Sequence, residues 1–175
     1  LVSLHVYNLS SASGREIFKT DKVWEYIPRM QWTKSSSLLS FQRTNRHQNV
    51  LELALYNLTD NKTTVILKEE NKSFIEITDD LTFLSDGKRF IWTSTRDGFN
   101  HIYLYDITGK LMQQVTNGRY DVTKYYGFDE KTQTFYYQSA ERSPLERHLY
   151  SVSLTGKKKT LTQSAGIHNA AFTNG

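Results

Sequence analysis

Three tyrosine-centred motifs recur along the chain at near-constant spacing. Tyr7-Asn8-Leu9, Tyr56-Asn57-Leu58 and Tyr105-Asp106-Ile107 stand 49 residues apart, and Val152-Ser153-Leu154 follows 47 residues after the last. Each sits in an alternation of apolar and polar residues, as in Leu53-Ala54-Leu55-Tyr56, His101-Ile102-Tyr103-Leu104-Tyr105 and Leu149-Tyr150-Ser151-Val152, which has the two-residue period of a half-buried strand. A repeat of this length built from strands confines the chain to repeat architectures.

A second register lies between these strands. Tyr26 to Thr33, Ile75-Glu76-Ile77 running on to Leu81-Thr82-Phe83, Tyr125 to Asp129 and Ile167 to Phe172 each carry an aromatic at or near the end; Trp32, Phe83, Phe128 and Phe172 are 51, 45 and 44 residues apart. After the first three comes a polar turn and another strand, Leu38–Phe41, Phe90–Thr93 and Thr134–Tyr137. A last strand of the kind Thr64–Leu67 or Met112–Val115 closes the unit. Ser85-Asp86-Gly87, Asp97-Gly98, Thr108-Gly109, Asn117-Gly118 and Thr155-Gly156 all fall at the expected turns.

Four antiparallel strands repeating in this way describe the blade of a β-propeller. The fold class is therefore all-β, a partial propeller of about three and a half blades. The expected division is a half blade over 1–20, blades over 25–69, 74–118 and 121–163, and the first strand of a further blade over 166–175. Propellers close as rings of about 4 to 8 blades, so the chain reads as a fragment of a larger one. Its open faces and unpaired edges would favour self-association.

Composition removes several function classes. The chain has 175 residues, 38% hydrophobic and 13% aromatic, enough for a sizeable sheet core. No apolar run approaches the ~18 residues of a membrane-spanning helix. Cysteine is absent, which excludes disulfides, thiolate nucleophiles and Cys-ligated zinc. The 22 basic residues are scattered among 18 acidic ones, and the tight cluster Lys157-Lys158-Lys159 reads as a solvated hairpin, so no nucleic-acid partner is expected.

Motif by motif, the bland reading is the stronger. There is no G-x-S-x-G elbow, glycine-rich phosphate loop or H-E-x-x-H helix. The histidines, His5, His47, His101, His148 and His168, are dispersed; His101 and His148 open equivalent strands, which points to a repeated structural hydrogen bond rather than to metal or catalysis. Arg96-Asp97-Gly98 has the form of an adhesion tripeptide, but a hairpin needs an Asp-Gly turn there. The sequons at Asn8, Asn57, Asn61 and Asn71 are acceptors only in a glycosylating compartment, and turn chemistry accounts for them equally well.

One resemblance is specific. The strand Tyr26-Ile27-Pro28-Arg29-Met30-Gln31-Trp32-Thr33, the run Ile75 to Gly87 and the hairpin Ser94-Thr95-Arg96-Asp97-Gly98-Phe99-Asn100-His101-Ile102-Tyr103 resemble the propeller (N-terminal) domain of the dipeptidyl peptidase IV family of serine exopeptidases. The resemblance implies a parent with an eight-bladed propeller over an α/β-hydrolase domain that releases N-terminal Xaa-Pro or Xaa-Ala dipeptides. The catalytic Ser, Asp and His would lie in that hydrolase domain, so no catalytic residue is expected within 1–175. Peptide substrates, the hydrolase domain and a homodimer are the implied partners, the implied location is periplasmic, cell-surface or secreted, and no cofactor, metal or membrane contact is expected here.

The family's glutamate pair for the substrate amino terminus sits on a helical insertion. Glu69-Glu70 instead follows the strand Val65-Ile66-Leu67 and reads as a solvated turn, so the role is not carried over, and the pair is expected upstream of Leu1. Glu76, in a run expected to enter an inner strand, is a candidate for an extended subsite, with blade packing as its alternative. Substrate-binding residues otherwise stay unassigned, and the dipeptidyl and tripeptidyl branches both stay open. The alternative function is a periplasmic protein-binding scaffold propeller without catalysis, since fold alone does not fix function.

Overall fold

The computed structural model describes residues 1–172, which form antiparallel sheets joined by turns. The chain divides into two compact units, one over Leu1–Ile77 and one from Thr78 onward.

In the first unit β1 (Ser3–Asn8) and β2 (Ser13–Lys19) make a two-stranded sheet. β3 (Met30–Trp32), β4 (Leu38–Thr44), β5 (Val50–Asn57) and β6 (Lys62–Glu70) make a four-stranded sheet in chain order. The register Leu39↔Tyr56 and Phe41↔Ala54 puts these four on one face. They share a core with Leu4, Val6, Ile17 and Phe18. Phe41 is fully buried with the Phe18 ring 5.1 Å away, a burial that contributes about 1.5–3 kcal/mol. Beside this core Arg43 faces its cross-strand neighbour Glu52. Its Nε and Nη2 donate to Glu52 Oε2 at 2.8 and 2.6 Å, while the guanidinium lies 4.6 Å over Trp24 and 5.4 Å over Phe18.

The second unit holds two four-stranded sheets, again in chain order. One comprises β7 (Thr82–Phe83), β8 (Arg89–Ser94), β9 (His101–Asp106) and β10 (Leu111–Gln114). The other comprises β11 (Val122–Asp129), β12 (Thr134–Ser139), β13 (His148–Ser153) and β14 (Lys158–Thr160). Ile91, Ile102 and Leu104 of the first sheet pack in one core with Phe135, Tyr137, Tyr150 and Val152 of the second. Polar staples join the two at their rims: Ser85 N–H and hydroxyl both donate to the Glu130 carboxylate, Gln113 Nε2 donates to Leu154 O at 3.2 Å, and Asn100 N–H donates to Asp121 Oδ1 at 2.7 Å.

The repeat also has a recurring turn device. The tyrosine strand ends on Asn8, Asn57 or Asp106, and in each case the side-chain oxygen accepts the N–H two residues on, at 2.9 Å. At the equivalent place Ser153 Oγ accepts Lys157 N–H at 3.1 Å. The hairpin glycines Gly98 and Gly109 have φ of 96° and 92°, conformations that other residues reach only with strain.

Three strand expectations require correction. Residues 26–28 are not part of β3: Tyr26 makes only an isolated bridge with Thr44, and Pro28 has no N–H for a ladder. Ile75-Glu76-Ile77 is irregular, with Ile75 N–H taken by Gln48 O at 2.7 Å. Within 166–172 there is no strand but a parallel bridge, Arg147↔Ile167; residues 173–175 lie outside the described residues.

Candidate functional site

Concavity in the first unit arises where the chain leading into β3 crosses the end of β4. Glu25 N–H and Tyr26 N–H both donate to Thr44 O (3.0 and 3.2 Å), and Thr44 N–H donates back to Tyr26 O at 3.1 Å. The hairpin from Asn45 to Asn49 is locked by Asn45 Oδ1, which accepts the N–H of Asn49 and of Val50. Against this frame Tyr26, Ile27, Pro28, Gln48, Ile77 and Val2 line a groove of about 320 Å³. Its one carboxylate, Glu25, is 3.7 Å from Arg46. It is a largely apolar trough with one carboxylate at its margin, and it presents no nucleophile beside a base.

One exposed array has the composition of a catalytic relay, and its geometry rules that out. Ser3 Oγ lies 2.9 Å from His5 Nε2, and Glu16 Oε2 lies 3.6 Å from the same nitrogen. A general base needs one ring nitrogen for the nucleophile and the other for the orienting acid. Here a single nitrogen faces both, on an open strand pair. Among the described residues no group of three or more His, Cys, Asp or Glu is placed to hold a metal ion.

The residues singled out in the sequence are dispersed. Glu69 and Glu70 lie within β6, opposite Leu51 and Val50, rather than in a turn after it, and Glu70 pairs with Lys68 at 2.6 Å. Glu76 is exposed on the irregular segment beside Ile77 of the groove. Asp97 accepts a hydrogen bond from Gln114 Nε2 at 2.8 Å, and Arg96 lies 4.6 Å over the Tyr103 ring, so Arg96-Asp97-Gly98 is tied into its own hairpin. Lys158 and Lys159 belong to the edge strand β14, leaving only Lys157 in the hairpin, and Lys158 is paired with Glu141. Asn71 Oδ1 accepts Ser73 N–H at 3.0 Å, and Asn61, with φ of 59°, accepts the Tyr56 hydroxyl at 3.1 Å. The four sequon asparagines thus all serve in local structure.

His101 and His148 do share one role. Both are fully buried. His101 Nε2 faces the Gly118 carbonyl at 3.0 Å, which can only accept, so that nitrogen carries the proton. Thr116 Oγ1 accepts Ile102 N–H at 3.0 Å, leaving its own proton for His101 Nδ1 at 3.1 Å. Thr162 likewise accepts Leu149 N–H at 3.1 Å, but at His148 both its hydroxyl and its backbone carbonyl stand 3.2 Å from Nδ1. The histidine partners were missed in the sequence because a threonine 14 or 15 residues downstream carries no distinguishing mark.

Several carboxyl groups in the second unit are displaced from the ordinary range, Asp80 and Glu146 among them. Burial pushes Asp80 up, partly offset by the Thr93 hydroxyl donating at 2.8 Å, with nearby Asp79 acting in the same direction as burial. Glu146 is held low, first by its hydrogen bond from His148 Nε2 at 2.8 Å and further by Arg142 at 3.6 Å.

Comparison with known proteins extends this picture. Residues 1–175 match the family model of the dipeptidyl peptidase IV (DPP IV) N-terminal region. The crystal structure of Porphyromonas gingivalis dipeptidyl peptidase 4 is similar with a TM-score of 0.89 and 35% identity, over 97% of this chain and 24% of that one. Dipeptidyl peptidase 4 of Arthroderma otae is 25% identical over 183 residues, covering 98% of this chain and 23% of that protein. Inactive dipeptidyl peptidase 10 of Mus musculus is 28% identical over 171 residues, covering 89% of this chain and 21% of that protein. The chain therefore spans between a fifth and a quarter of the length of these relatives.

Proposed function

Because the chain belongs to the family of dipeptidyl peptidase IV N-terminal regions, we propose that it serves as the non-catalytic propeller part of a serine-type exopeptidase. In this reading the propeller admits and helps to bind peptides, and a hydrolase domain of the same protein releases their N-terminal Xaa-Pro or Xaa-Ala dipeptides. The observation that carries it is the likeness to Porphyromonas gingivalis dipeptidyl peptidase 4 across nearly the whole chain. The groove beside Glu25, apolar and without a nucleophile, supports binding rather than bond cleavage. A location outside the cytoplasm and a homodimer belong to the same proposal.

A binding propeller without activity is the second reading, and the similarity to a relative named as inactive favours keeping it. The separating experiment measures release of a chromogenic group from a Gly-Pro or Ala-Pro amide by the intact protein and by the 175-residue chain. Turnover by the intact protein alone supports the peptidase reading. A folded intact protein that binds such peptides without cleaving them supports the second.

A further inference from the structure

In the second unit, the connection from β10 to β11 turns on two residues held to opposite degrees. Gly118 is fixed: its φ is 127°, and a Cβ there would stand 2.7 Å from the Tyr120 ring, so the position requires glycine. Its carbonyl accepts from Nε2 of the fully buried His101 at 3.0 Å, and the Tyr120 ring stands edge-on to His101 at 5.3 Å. On either side of the turn, Val115 N–H donates to Ile102 O at 2.8 Å and Asn100 N–H donates to the Asp121 carboxylate at 2.7 Å. Asn117, by contrast, is exposed, and among the described residues neither its side chain nor the Gly118 N–H makes a hydrogen bond.

This sets Asn117 apart. Every other asparagine among the described residues commits a side-chain atom to a hydrogen bond, as Asn57 and Asn71 do in their turns and Asn100 and Asn169 do between segments. Each of those is also followed by a residue that carries a Cβ. A second Asn-Gly pair, Asn174-Gly175, lies outside the described residues. A free carboxamide placed just before a free glycine amide lets the main chain attack its own side chain. No hydrogen bond has to break to bring the Gly118 nitrogen onto Asn117 Cγ, and Gly118 has no Cβ to crowd the five-membered ring that forms.

We propose that Asn117-Gly118 is a self-modifying site whose isoaspartyl product loosens the clamp around His101. The Gly118 nitrogen gives up its proton and bonds to Asn117 Cγ, and the carboxamide nitrogen leaves with that proton as ammonia, giving a succinimide. Water then opens the ring. Breaking the bond from nitrogen to Cγ yields aspartate at 117; breaking the bond from nitrogen to the main-chain carbonyl yields isoaspartate, with the chain now running through the side chain and one carbon longer. Either route takes up one water and releases one ammonia, with no oxidant or reductant. The longer chain enters directly at Gly118, whose place is set by Tyr120 and His101. Displacing its carbonyl leaves a buried ring N–H without an acceptor, which is costly.

The test ages the intact protein in mildly alkaline buffer at physiological temperature and maps its peptides by mass, with chromatography to separate isoaspartyl from aspartyl forms. Conversion at Asn117 should run at least about tenfold faster than at any other asparagine within residues 1–172, a barrier difference of about 1.4 kcal/mol. Asn117→Ser should abolish conversion in its peptide. Amide exchange is then compared on the separated peptides, at Val115 and Thr116, whose N–H groups both point to Ile102 O. In the isoaspartyl form their protection should fall about tenfold or more, whereas Asn117→Asp, which adds the charge without lengthening the chain, should stay within about threefold of wild type. No conversion at Asn117, conversion no faster than at the other asparagines, unchanged protection in the isoaspartyl form, or an equal loss in Asn117→Asp would each overturn the proposal.

Discussion

At the scale of single residues, the paired charges inside the first unit show how a strong contact is compatible with weak net stabilisation. Arg43 and Glu52 retain only 18% and 12% of side-chain exposure, so each depends on the other. Glu52→Ala strands a buried guanidinium and is expected to cost about 3–5 kcal/mol, whereas Arg43→Met combined with Glu52→Leu should be close to neutral. Chemical denaturation of the two variants measures the difference. Asp80 makes the opposite case. Its folded pKa is raised by burial, so the stability it contributes is complete below the unfolded carboxylate value and is lost as pH rises through the folded one. Asp80→Asn, which still accepts from Thr93, should therefore raise Tm at pH 8 by a few degrees and leave it nearly unchanged at pH 3.

At the scale of elements, the threonines beside His101 and His148 fix where each sheet ends and its connection begins. Thr116→Val and Thr162→Val each remove a hydroxyl that accepts a backbone N–H and contacts a buried ring. Losses of about 1–3 kcal/mol are expected for each; thermal melts check this. The strands themselves were legible because their period is set by alternate burial, as in Ile102 and Leu104 against Phe135 and Val152. Ile75-Glu76-Ile77 has the same alternation yet forms no ladder, since its backbone is committed to the hairpin at Gln48. Pro28 was a readable signal that the strand ending at Trp32 had to start late. The groove was not legible: Val2, Glu25, Gln48 and Ile77 are brought together by hydrogen bonds between loops, which leave no periodic trace.

At the scale of the whole molecule, one repeated sheet serves binding and scaffolding alike, and the sequence motifs distinguish this family only through residues such as Tyr26 to Thr33 and the hairpin from Ser94 to Tyr103. Both now have structural reasons. The first crosses β4 to shape the groove, and the second ties Arg96 and Asp97 into the sheet and sets His101 in its clamp. Neither brings a nucleophile, a base and an acid into register; under the proposed function, catalysis falls to residues outside 1–175. The most direct measurement is labelling of the intact protein with a serine-reactive fluorophosphonate, followed by mapping of the modified residue. A single modified serine outside residues 1–175, with loss of Gly-Pro amide cleavage, is the expected result. A modified serine within residues 1–175 whose labelling abolishes cleavage, or a folded intact protein that is neither labelled nor active, would contradict it.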